Sequence, residues 1–266
     1  MSNYYSPKEI TNQFAASGIY KSSLPVSKFL IIATLGGVFI ALGGFLSVMV
    51  AGGMPGIGTD NPGLIKWIAG MLFPVGLIMV SMTGADLFTS DCTAFTLPLL
   101  EKKLNVISFL KGLFLSYVFN FIGAQIIAYT LSSDLGYFSK DPWQNYLFHY
   151  AEAKVDQDWG NVFIKGIGAN WLVCLGMFMG YSAKDVSGKC LGIWIPVMVF
   201  VTLGYEHSIA NMFFIPAAIY SGAAITWSDF ILQNLIPATL GNLIGGGIFV
   251  GCVYWYLHLY KKESGR

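Results

Sequence analysis

The sequence predicts an all-α polytopic membrane protein: six transmembrane helices built as two inverted three-helix repeats, with helices two and five interrupted. Three observations lead there. Only 11% of the 266 residues are charged and 55% are hydrophobic, against roughly 25% charged in an ordinary soluble domain. Six apolar stretches each hold the about 20 residues needed to cross a hydrocarbon core of ~30 Å. Two of these stretches, one in each half, are overlong and carry a polar break. So little charged material cannot coat a globule of this size, which argues against a soluble enzyme, a nucleic-acid binder or a disordered adaptor. The formal net charge of +1 supplies no global steering field. Thirty-one glycines suit helices packed closely in lipid. Cys92, Cys174, Cys190 and Cys252 show no metal-ligand spacing, so neither a disulfide framework nor a metal or other cofactor is expected.

Residues 1–26 read as a cytoplasmic amphipathic segment, with Ile10, Phe14, Ile19 and Tyr20 among polar neighbours. No cleavable signal is expected, because the first apolar run is too long and lacks a small-residue cleavage pattern. The spans are expected at Ser27–Val50, Leu64–Leu99, Leu104–Leu131, Asn161–Tyr181, Cys190–Ile219 and Ile231–Tyr260. They make one transmembrane domain over residues 27–260, with repeats of about 27–131 and 161–260, followed by a cytoplasmic tail at 261–266. The one long connection, Ser132–Gly160, is polar and aromatic and suits the cap of a mouth.

Loop charge predicts the orientation. Lys8, Lys21 and Lys28, then Lys102, Lys103 and Lys111, then Lys184 and Lys189, and finally Lys261, Lys262 and Arg266 fall on one side if every span crosses once. The other side carries a mostly acidic set including Asp60, Asp134, Asp141, Glu152, Asp156, Asp158 and Asp229. Basic loops stay in the cytoplasm, so both termini are expected there, in a cell membrane.

The breaks are Gly84-Ala85-Asp86-Leu87-Phe88-Thr89-Ser90-Asp91 and Gly204-Tyr205-Glu206-His207-Ser208-Ile209-Ala210-Asn211. Each opens with Gly, one residue and a carboxylate, in the middle helix of its half. A three-span unit repeated once is necessarily inverted in the membrane. Matching interruptions in two such halves point to a transport site near the midplane, since broken backbone at that depth is tolerable only against protein or a water-lined cavity. Pro74, Pro196 and Pro216 loosen the same helices.

Gly-Ala-Asp-Leu-Phe-Thr-Ser at 84–90 and Gly-Tyr-Glu-His-Ser-Ile-Ala-Asn-Met at 204–212 resemble the two signatures of the formate/nitrite transporter family. Asn170-Trp171-Leu172-Val173-Cys174 and the segment from Asn234 to Asn242 fit as well, in the right order and spacing. The resemblance implies an aquaporin-like fold, a homopentamer with one pore per protomer, and passage of small monovalent anions or their conjugate acids. It also implies that His207 sits in mid-pore between two apolar constrictions, that Thr89 faces the same point, and that Asn170 lies near the His. Leu77, Leu87, Phe88, Val173 and Phe200 match its constriction residues, and Lys154 matches a lysine at the outer vestibule.

The residues themselves carry part of this. An ionisable side chain inside a membrane segment is costly and functional by default, and an imidazole with an unperturbed pKa near 6.5 suits proton exchange at neutral pH. Thr89 has a plain alternative as a local cap of the following half-helix, and Asn170 as an interhelical hydrogen bond. Asp86 and Glu206 are expected to satisfy free amides of the broken backbone. Lys154 is either an anion-attracting cation or a solvated loop lysine. Glycine pairs such as Gly241/Gly245 give small-residue faces for helix contact.

The function expected is therefore a channel or transporter for a small weak-acid anion and a proton, with formate favoured over nitrite or hydrosulfide because the Asp-Leu-Phe-Thr-Ser wording resembles that of formate-handling members of the family. Membrane lipid is the remaining partner, and neither enzymatic activity nor nucleic acid is expected. Two other classes fit less well. A haem-bearing membrane anchor needs a second axial histidine facing His207. An intramembrane hydrolase needs more than the adjacent Ser208 and His207, and no GxSxG or HExxH is present.

Overall fold

A computed structural model describes residues 3–260, and no β-strand occurs among them. Lys261, Lys262 and Arg266, used in the orientation argument, and the tail 261–266 lie outside the described residues. Helix α1 (Pro7–Ser23) starts with a capping box, in which the Ser6 hydroxyl accepts from the Glu9 amide and the Glu9 carboxylate accepts from the Ser6 amide. Far from being a free lead-in, α1 buries Ile10 and Phe14 in the main core.

Helix α2 (Val26–Gly52) is the first membrane-length helix. A short α3 (Pro55–Asp60) leads to α4 (Pro62–Leu72) and α5 (Val75–Thr83), which adjoin at Phe73-Pro74, where proline removes a helical N–H donor. The chain is extended before α6 (Phe88–Ala94) and α7 (Thr96–Leu100). Helix α8 (Val106–Tyr129) ends in a π-helical turn over Thr130–Asp134. The long connection holds its own helix, α9 (Trp143–Val155), which packs back on α2 and on the later α12. There follow α10 (Trp159–Ser182), α11 (Val186–Thr202) and α12 (Ser208–Tyr220). The last span runs through π-helical turns at Asp229–Leu235 and Gly245–Cys252, with α13 (Ile236–Ile244) between them and α14 (Val253–His258) at its end.

Five helices among the described residues are long and apolar enough to cross a membrane: Val26–Gly52, Pro62–Thr83, Val106–Asp134, Trp159–Ser182 and Asp229–His258. This is a multi-pass membrane protein. The stretch expected as one fifth span, Cys190–Ile219, is instead the two shorter helices α11 and α12 meeting at the break.

In the first half α2 packs along α8, and in the second α10 packs along α13, so the outer helices of each half embrace in the same way. Gly241 and Gly245 lie directly on the backbone of α10 at Phe163 and Ile167, the close approach that small residues permit.

Both breaks are narrower than the sequence suggests. Each opens with a glycine in the left-handed region, Gly84 at φ +78° and Gly204 at φ +69°, where a side chain would be strained and glycine is not. Each closes with an extended residue, Leu87 or His207, immediately before the next helix. Thr89, Ser90 and Asp91 are therefore already helical, as are Ser208 to Asn211.

Candidate functional site

A broken helix leaves amides and carbonyls that membrane depth cannot hydrate. Two asparagines answer this in parallel. Asn120 of α8 accepts from the Phe88 amide at 2.9 Å and donates to the Asp86 carbonyl at 2.9 Å and the Ala33 carbonyl at 2.6 Å. Asn242 of α13 accepts from the Ser208 amide at 2.8 Å and donates to the Glu206 carbonyl at 2.9 Å and the Gly166 carbonyl at 2.8 Å. The amides expected on the Asp86 and Glu206 carboxylates go to these asparagines instead. An asparagine side chain both donates and accepts, and so closes both ends of a break that a carboxylate closes at only one.

The carboxylates hold lysines. Glu206 takes the Lys154 ammonium at 3.0 Å, together with Asn211 at 2.7 Å and Asn234 at 3.1 Å on the same oxygen. In the first half the Lys21 ammonium lies 2.6 Å from both Asp86 and Asp91. Burial works against the charge of Lys21, but the two aspartates outweigh it and hold its pKa above the ordinary lysine range. Lys154 follows the same pattern, with burial opposed by Glu206 and the net direction upward. Lys154 is only 5% exposed, so the solvated-loop alternative fails, and the free cation expected at a mouth is instead half of a buried ion pair. Breaking such a pair strands a carboxylate. Lys154→Gln should therefore destabilise the protein by about 3–5 kcal/mol, measured by thermal unfolding in detergent, and Lys154→Gln with Glu206→Gln should recover most of that loss.

His207 and Thr89 meet between the two breaks, the ring Nε2 3.0 Å from the threonine Oγ1, with exposures of 1% and 0%. The Ala210 amide donates to His207 Nδ1 at 3.0 Å. An amide can only donate, so Nδ1 is an acceptor and the single proton of the ring sits on Nε2, facing Thr89. Thr89 thus spends its hydroxyl on the histidine rather than on a local cap. The partners of the two ring nitrogens are thus Thr89 and the Ala210 amide.

Three cavities succeed one another around this contact, each sharing lining residues with the next. On one side Phe73, Tyr150, Lys154, Phe200 and Asn211 bound a cavity of about 10 Å³ that reaches His207. Past it, Leu77, Leu87, Val173 and Phe200 surround the imidazole in an apolar chamber with no room for a water molecule. Beyond Leu87 opens a vestibule of about 150 Å³ lined by Ser17, Tyr20 and Lys21 of α1 and by Ser90. The Phe200 ring stacks on His207 at 5.7 Å, and Phe73 meets Phe200 edge-on at 6.0 Å.

Two expected site residues have side-chain partners other than the imidazole. Phe88, at the start of α6, is buried with its ring packed edge-on against Tyr117 at 4.9 Å. Asn170 does not touch the imidazole. It donates to the carbonyls of Thr89 at 3.0 Å and Asn242 at 2.7 Å, tying the two breaks together as an interhelical bridge. Lys21, Phe73 and Asn120 are not among the expected site residues, and Asn211 and Asn242 enter the sequence reading only within the quoted break and signature segments. A signal existed: Glu206 follows Asp86 by 120 residues and Asn242 follows Asn120 by 122, so superposing the halves at that offset pairs them.

Two broken helices brought together around a buried His–Thr contact, with an apolar narrowing and a vestibule that carries Lys21, define a helical membrane protein of the channel or transporter class. The formate/nitrite transporter profile matches residues 8–256, and the chain belongs to that family, whose members are channels and transporters rather than enzymes. It is 39% identical to a probable formate transporter of Methanothermobacter thermautotrophicus, over 97% of this chain and 98% of that protein. Among solved structures it resembles an ion channel of the same family, with a TM-score of 0.86 and 26% identity over 94% of this chain and 98% of that one. It also resembles a pentameric formate channel with formate bound, with a TM-score of 0.77 and 31% identity over 91% and 98% of the two chains.

Proposed function

We propose that the protein is a channel for small monovalent weak-acid anions, formate first, in which a proton accompanies the anion past His207. The observation that carries this reading is the Nε2–Oγ1 contact of 3.0 Å set in an apolar chamber. Bringing a bare anion out of water costs several kcal/mol even after relaxation, and up to ~20 in the Born limit. Protonating a carboxylate of pKa ~4 at pH 7 costs about 4 kcal/mol. A proton acquired at the narrowing is the cheaper way through.

The tautomer shapes how that proton moves. The ring holds one proton, and an imidazolate is too basic to persist near pH 7. A proton passed from Nε2 to the anion must therefore be replaced in the same step: the Thr89 hydroxyl gives its proton to Nε2 and takes one from a vestibule water, and the hydroxide left there is neutralised from bulk solvent. The aquaporin-like homopentamer and the formate substrate are supported by the likeness to the pentameric formate channel. Six crossings follow if α11 and α12 jointly make the fifth. Basic loops support cytoplasmic termini in a cell membrane.

Proteoliposomes offered formate, nitrite, hydrosulfide and chloride in turn test the substrate. Formate should pass fastest and chloride not at all. Faster nitrite or hydrosulfide would reassign the anion, and equal passage of chloride would remove the weak-acid requirement.

A further inference from the structure

Lys154 is neutralised by Glu206, so attraction of an anion to this end of the path needs another cation. Glu206 is already saturated: one oxygen takes Lys154, Asn211 and Asn234, and the other accepts from Gln157 at 3.0 Å. Gln157 also donates to the Ala153 carbonyl at 2.9 Å, which pins its amide so that its oxygen points away. That oxygen accepts from the ammonium of Lys165 on α10.

Lys165 is half-buried in a membrane-length helix and has no ion pair within 4.0 Å among the described residues. The loop carboxylates nearest in sequence, Asp156 and Asp158, do not reach it, and the Asp158 side chain instead caps α10 by accepting from the Gly160 amide. An ionisable group within a membrane helix normally faces the bundle interior or a water-lined cavity. This one is turned back along its helix toward Gln157, just before the start of α10, on the same side as Lys154. The cluster thus holds two ammonium groups against one carboxylate, joined by hydrogen bonds to the residue next to His207. The opposite end reverses the balance, with Asp86 and Asp91 sharing Lys21.

Resting on the channel reading above, we propose that Lys165 is the cation that recruits the substrate anion to the Lys154 side of the path, and that Gln157 is the residue that positions it. The role is one of capture, so it acts on half-saturation and not on maximal rate, and salt screens it.

Initial formate uptake into proteoliposomes, measured against concentration at low and high ionic strength, tests this. Lys165→Gln should raise the half-saturating formate concentration about five-fold at low ionic strength with an unchanged maximal rate, and the difference should shrink at high salt. Lys165→Arg should restore wild-type behaviour. In the wild type itself the half-saturating concentration should rise with ionic strength, a readout independent of whether the variant assembles. A salt-independent wild type, an unchanged Lys165→Gln, or a variant that loses maximal rate alone would overturn the assignment. A wild type that passes none of the weak-acid anions would instead defeat the channel reading.

Discussion

His207→Phe is expected to abolish formate flux while leaving assembly intact. The ring of Phe fills the imidazole's place against Phe200, whose stacking at 5.7 Å it can keep, so the chamber stays closed and apolar. What is lost is the Nε2–H donor, the one polar group of the chamber wall. A hydrogen bond to a charged partner contributes about 1.5–3 kcal/mol, and losing about 3 kcal/mol from a barrier slows passage roughly 100-fold. Thr89 also loses its partner and is left facing hydrocarbon. His207→Asn separates the roles. Its amide retains a neutral donor and an acceptor for Ala210 but carries no exchangeable ring proton. A proton-passing role predicts that the Asn variant loses proton-linked uptake; a role in positioning alone predicts that uptake and its pH change survive. Formate flux at wild-type rate in both variants would reduce His207 to packing.

The second large effect is on stability. Asn242→Leu keeps the branched outline of the side chain while adding volume; it strands the Ser208 amide and the Glu206 carbonyl, paired with this side chain at 2.8 and 2.9 Å, and removes its bond to the Gly166 carbonyl within α10. A buried group left unpaired costs about 1–3 kcal/mol, so two such groups predict a loss of roughly 2–6 kcal/mol. The thermal midpoint in detergent should fall accordingly, and the Ser208 amide should lose its protection from hydrogen exchange. Asn120→Leu should produce a matching loss through Phe88, Asp86 and Ala33. A large effect in one half and none in the other would contradict the equivalence of the two breaks.

Much of this was legible in the chain, for identifiable reasons. Gly84 and Gly204 announce the breaks because a left-handed residue in an apolar span is costly for anything else. His207 stands out because a titratable ring in hydrocarbon has few idle uses. Leu87 and Val173 lie in the signature segments and Leu77 and Phe200 match constriction residues by resemblance, and the structure gathers all four around the imidazole. A signature fixes position along the chain and not direction around a helix, so it does not foretell that the Phe88 ring meets Tyr117. Lys21 was hidden for another reason: its partner Asp91 is 70 residues away, and a lysine near the end of an amphipathic helix reads as solvated. Lys154 sits in a polar connection that folds back as α9, so local composition pointed outward while tertiary packing turned it in. Asn120 and Asn242 resemble incidental polar residues in apolar spans until the two halves are superposed.

The central claim, that a proton travels with the anion past His207, is tested most directly by recording internal pH and formate uptake together in the same proteoliposomes under an inward formate gradient. The account predicts acidification of the lumen in step with formate, close to one proton per anion, above the rate of protein-free vesicles. Formate uptake without acidification, carried as current and halted by an opposing membrane potential, would contradict it.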